Sequence, residues 1–124
     1  MLRLEKYLND LLALIKEKFD KRLLYVGLGN LFHEICHCYI HSDREKNVVR
    51  LPLTYKSVFF IIQNMYYIDS GIFIDTKREL IKHLKNKDKE VMEMAIMLKD
   101  NKEYDFNYAF DLLFTWCQNA IITR

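Results

Sequence analysis

The chain opens with a helical rhythm of apolar and charged positions. In RLEKYLNDLLALIKEKF, residues 3–19, Leu4, Leu8, Leu11, Leu12, Ile15 and Phe19 fall on one stripe with charges opposite, which predicts an amphipathic helix whose apolar face needs a partner. Residues 22–42 are apolar almost all round, with Leu24, Leu28, Leu31, Ile35 and Cys38 on one side and Tyr25, Phe32, Cys36 and Tyr39 beside them. Such a helix belongs in the middle of a bundle. The polar stretch SDREKN is expected to be a loop. Pro52 has no N–H and disfavours a helical residue before it, so a third helix should begin near Thr54, run to Asp69 and stop at Ser70-Gly71.

Ile72, Phe73 and Ile74 then make a short extended connector. Thr76 and Glu79 are spaced as a capping box, in which hydroxyl and carboxylate satisfy orphan amides, and predict a fourth helix over 77–85. Asp88 is placed to cap a fifth helix carrying Val91, Met94, Ala95 and Leu98. After DNKEYD a last helix should run from Phe106 to Ile122, turning Phe106, Ala109, Phe110, Leu113, Cys117 and Ile121 inward.

Composition supports these elements. A chain of 124 residues has room for one core, so residues 1–124 are taken as a single domain. Three glycines and one proline are too few for the tight turns of a sheet protein. The expected fold is therefore all-α, a bundle of five to six helices. A net charge of +2 neither demands nor excludes a nucleic-acid partner. The cysteines, Cys36, Cys38 and Cys117, form no C-x-x-C pair, and the first two lie about 200° apart on a helix, which suits reduced thiols of a cytoplasmic protein. Met1 leads straight into charged amphipathic sequence and no apolar run approaches a bilayer span, so neither a secretory leader nor a membrane segment is expected.

Two histidine patterns invite chemistry. HEICH, residues 33–37, is an H-E-x-x-H sequence: on a helix His33 and His37 lie one turn apart and could share a zinc ion, with Glu34 as general base. A catalytic zinc needs a third protein ligand. His41 lies eight residues beyond His33, about 12 Å along a helix, too far to join it on one ion. Instead Asn30, Glu34, His37 and His41, flanked by His33, form a polar seam that meets solvent or lines a cleft. The second pattern, Arg78 and His83, fits the R-x4-H of ribonucleases built on the HEPN bundle. The lysines around it, from Lys77 to Lys89, interleave with Glu79, Asp88 and Glu90 and so describe a solvated face rather than a phosphate track.

Gln63 and Asn64 interrupt the apolar run of the third helix, and a buried amide without a partner costs about 1–3 kcal/mol, so both should be hydrogen-bonded. Lys56, Gln63 and Tyr67 share a stripe that either packs at a helix or subunit interface or faces a ligand.

From Arg50 onward the order RLPLTYKSVFFIIQNMYYIDSGIFIDTKREL, a short charged helix, then YDFNYAFDLLFTWCQ resembles the C-terminal helical domain of aminoglycoside-type nucleotidyltransferases, a relative of the HEPN and nucleotidyltransferase substrate-binding bundles. The resemblance is carried by the long aromatic-rich helix, Gly71-Ile72-Phe73 and the Thr76-Lys77-Arg78 turn, over about 70 residues. It implies a bundle that closes one side of an acceptor cleft, with contacts drawn from Glu34, His37, Lys56, Gln63 and Tyr67, Glu34 being the candidate base. It also implies that ATP and Mg2+ sit on a separate catalytic domain, in cis or in trans, since this chain has neither the family's Gly-Ser turn nor its D-x-D pair. A small-molecule acceptor and a homodimer paired through the third helix complete the expectation. The rivals are a zinc hydrolase using His33, Glu34 and His37, and a HEPN-type ribonuclease using Arg78 and His83.

Overall fold

The computed structural model describes residues 2–39, 43–100 and 103–123. Among these residues the regular structure is wholly α-helical and comprises five helices: α1 (Leu2–Cys38), α2 (Arg44–Ser70), α3 (Lys77–Ile81), α4 (Asn86–Asp100) and α5 (Phe106–Thr123). None is long and apolar enough to cross a membrane. His41, the last member of the expected polar seam, lies outside the described residues.

The two helices expected over 3–19 and 22–42 are one. Asp20, Lys21 and Arg22 contain no glycine or proline, so nothing breaks the backbone between the halves, and Lys21 pairs with Glu17 across the junction at 3.2 Å. At 37 residues α1 is about 55 Å long. Its halves face opposite ways. Leu24, Leu28, Leu31 and Ile35 are buried and repeat the spacing of Leu4, Leu8, Leu11 and Ile15 twenty positions later. Twenty residues rotate a helix by about 200°, so the first set points away from the body that buries the second.

Pro52 does not delay α2, which begins at Arg44. Asp43, extended at φ −77° and ψ 166°, accepts from the Lys46 amide at 2.8 Å and caps the helix eight residues before the proline. The expected SDREKN loop is therefore mostly helix. Pro52 then sits in the helix interior and cannot donate to the Val48 carbonyl, and that carbonyl accepts instead from the Tyr104 hydroxyl in the segment before α5. The far end of α2 is as expected: Gly71 adopts φ 77°, where a side chain would be strained, and its N–H returns to Tyr67 O at 2.8 Å.

Thr76 caps α3 by accepting from the Glu79 amide at 3.3 Å, but α3 ends at Ile81 rather than 85, because the chain turns through Lys82 and His83 and re-enters helix at Asn86 with φ 56°. Asp88 is not the cap of α4. It lies inside the first turn, and its carboxylate accepts from the Trp116 indole N–H at 2.8 Å. In α5 the inward face is Ala109, Leu112, Leu113, Trp116, Cys117 and Ala120, while Ile121, expected inside, is exposed.

The body forms around α2, which packs against α4, the second half of α1, and α5; α3 rests on α4. Leu28, Tyr55, Val58, Met92 and Leu113 meet in its interior. Polar groups there are bonded across the helices: Tyr55 donates to Ala109 O at 2.6 Å, and the Cys117 thiol lies 3.7 Å from Leu28 O. Burial pushes the Cys117 thiol up to about 12 and holds Tyr55 well above the ordinary phenol range.

Candidate functional site

Three of the residues singled out on the third helix, Gln63, Asn64 and Tyr67, lie together. Residues 20–27 of α1 and 60–67 of α2, with Phe73, line a cleft of about 430 Å3. Gln63, Asn64, Tyr67 and Asp20 supply its polar lining; Leu23, Phe60, Ile61 and Phe73 supply apolar walls. That volume falls in the range of small-molecule sites, as does the lining of apolar surface with a few polar groups.

Each polar group is positioned by the local fold. Gln63 donates to Ile74 O at 2.7 Å, tying the extended connector to α2 and bringing Phe73 edge-on to Tyr67 with ring centroids 6.1 Å apart. Asn64 reaches Asp20 O at 3.4 Å, so both amides have the partners their burial demands. Lys16 donates to the Tyr67 hydroxyl and stands 4.9 Å from the centre of its ring. The hydrogen bond to Tyr67 is the main cause holding the Lys16 ammonium above the usual lysine range. Asp20 lines the cleft with its charge also favouring the Lys16 ammonium, and Phe60 and Phe73 stand exposed, so a ligand with amino or hydroxyl groups on a compact body would find both charge and flat apolar surface.

The other expected contacts lie elsewhere. Lys56 lines a separate hollow of about 570 Å3 with Pro52, Phe59, Lys77 and Lys99. Glu34 turns inward from α1, where Thr54 donates to its carboxylate at 3.0 Å and the Tyr39 hydroxyl lies 2.6 Å from Thr54 Oγ1. Burial pushes the Tyr39 hydroxyl up to about 12. The His33 and His37 rings lie 4.2 Å apart, tilted by 34°, on the exposed side. The H-E-x-x-H letters therefore divide between two environments, with the glutamate engaged by Thr54 and the imidazoles in solvent. Among the described residues no group of three or more His, Cys, Asp or Glu side chains is placed to hold one metal ion. His83 packs against Tyr66 at 5.5 Å and lines a hollow between α2 and α4 to which Arg78 does not contribute.

Asp20 and Phe73 escaped the sequence argument, Asp20 because residues 20–22 read as a junction between helices and Phe73 because it read only as connector. The available signal was the continuation of the Lys16, Asp20, Gly27 edge past that junction, visible only once α1 is a single helix. No family model matches this chain, and no curated protein or solved structure matches it either.

Proposed function

We propose that the bundle is the acceptor-binding helical domain of a nucleotidyltransferase, holding a small amino- or hydroxyl-bearing molecule in the α1–α2 cleft while a catalytic domain in cis or in trans handles ATP and Mg2+. The observation that carries this reading is the cleft itself: Asp20, Gln63, Asn64 and Tyr67 converge on one hollow with exposed aromatic walls. The sequence likeness from Arg50 onward, with its Gly71 and Thr76 turns, supports the same reading. Nothing in the chain suits it to hold the nucleotide, for there is no D-x-D pair and no converging carboxylate cluster among the described residues. The acceptor contacts in this reading are Asp20, Gln63, Asn64 and Tyr67; Glu34, bonded to Thr54, is given no role as base.

The test is thermal unfolding with and without an aminoglycoside panel. A ligand at a hundred times its Kd stabilises the fold by about 2.7 kcal/mol, roughly a 10 °C rise in Tm for a chain of this size. Asp20→Asn should leave the unliganded Tm in place and abolish the rise, because the side chain is replaced while the carbonyl that Asn64 reaches is retained. A panel without effect, or a rise that survives in Asp20→Asn, refutes the proposal.

A further inference from the structure

Residues 3–19 of α1 are exposed around the whole helix, although eight of them are large and apolar, six of these on one stripe. Leu4, Leu8, Leu11, Leu12, Ile15 and Phe19 range from 43% exposed at Leu11 to 63% at Leu12, on the face turned away from the body. An isolated helix of this length is marginal in water, so the stripe needs a partner to persist.

We propose that the partner is a second copy of this chain, with the first halves of α1 paired antiparallel about a two-fold axis between residues 11 and 12. Self-complementarity carries the inference. About that midpoint Leu4 lies level with Phe19 of the other copy, Leu8 with Ile15, and Leu11 with Leu12, so all six stripe residues find apolar neighbours within the same stripe. Within each level the two side chains lean to opposite sides of the contact line and interdigitate rather than collide. An interface of this kind is isologous, as two-fold symmetry requires. At one flank Glu5 comes within about one residue rise or two of the other copy's Lys16, opposite in charge, whose ammonium is already bonded to Tyr67 of its own chain. The size is also right: at roughly 100 Å2 of exposed surface per stripe residue, with Tyr7 and Leu14 at the margins, each copy offers on the order of 800 Å2, the usual contribution to a stable interface. The two bodies lie on the faces of their helices opposite the stripe, where Ala13, Lys16, Glu17 and Asp20 meet the end of α2, at opposite ends of the pair. The surface is distinct from the ligand cleft, and the dimer does not depend on the acceptor-binding proposal.

The experiment is mass measurement by light scattering on the full chain without ligand, from 5 to 100 μM, on the order of typical micromolar association. The expected mass is twice the 15.0 kDa of one chain, falling to one chain in Leu8→Glu with Ile15→Glu. Trp116, in the body, reports folding: its emission and a cooperative melt should survive in that variant. Orientation is read from single cysteines under mild oxidation. The two copies of residue 12 lie about 1.5 Å apart along the axis and those of residue 4 about 22 Å apart, so Leu12→Cys should cross-link and Leu4→Cys should not. A monomeric wild type, including one that instead sediments with phosphatidylglycerol vesicles, overturns the proposal. So does a dimer unchanged by the two glutamates, or cross-linking at residue 4.

Discussion

Replacing Tyr104 with phenylalanine removes one oxygen, and its consequence depends on a proline 52 positions away. In the native chain Val48 O has no helical donor because Pro52 lacks an N–H, and the Tyr104 hydroxyl takes that place. Tyr104→Phe should therefore strand a half-buried carbonyl at a cost of about 1 kcal/mol, a fall of roughly 3–5 °C in Tm for a chain of this length. Pro52→Ala restores an N–H in register with Val48. Alone it should stabilise by about 1–2 kcal/mol, less than the ~3 kcal/mol of an uncompensated interior proline, since Tyr104 already serves the carbonyl. In that background Tyr104→Phe should cost only a few tenths, giving a coupling energy of about 0.5–1 kcal/mol. Urea unfolding followed by helical circular dichroism measures all four corners of the cycle. Equal costs for Tyr104→Phe in both backgrounds would refute the claim that the hydroxyl substitutes for the missing amide.

Further outcomes follow from other contacts. Asp88→Ala leaves the buried Trp116 N–H without its acceptor and should destabilise by about 1.5 kcal/mol with a shift in tryptophan emission; an unchanged spectrum and melt would contradict the bond. Alkali should unfold the chain: Cys117 and Tyr39 are both raised to about 12 by burial, so they stay neutral in the folded form while the unfolded chain ionises above about 9 and 10. Stability is thus complete below pH 9 and falls by up to about 1.4 kcal/mol per pH unit per group until pH 12, and Cys117→Ala should flatten the decline between pH 9 and 10 in a series of melts. Metal analysis of purified protein should find well under one zinc per chain, because Glu34 is bonded to Thr54 and His33 and His37 face solvent; one-to-one zinc lost in His37→Ala would reverse that expectation.

What could be read from the residues alone was mostly local. The helical class, the stop at Gly71 and the cap at Thr76 rest on periodicity and on interactions within three or four residues, and the structure has them. Two of the misplaced features depend on a distant partner. Pro52 looks like a barrier until Tyr104 supplies a donor; Asp88 looks like a cap until Trp116 claims its carboxylate. The site followed the same division. Gln63 and Asn64 stand out as polar interruptions and Tyr67 shares the stripe of Gln63, and the structure brings all three into one cleft; Lys56, on the same stripe, lies two turns from Gln63 in a different hollow. Glu34 and His37 project close together on a helical wheel, yet one meets Thr54 and the other meets water, a difference set by where α2 lies.

The bonds from residues 104–117 to the earlier helices impose an order on synthesis. Tyr104 serves α2, Ala109 receives Tyr55, Trp116 holds Asp88 and Cys117 meets Leu28, so residues 104–117 fasten α1, α2 and α4, all of which leave the ribosome before them. Until residues 104–117 emerge, the helices before them carry an open carbonyl, an idle phenol and an uncovered apolar trough.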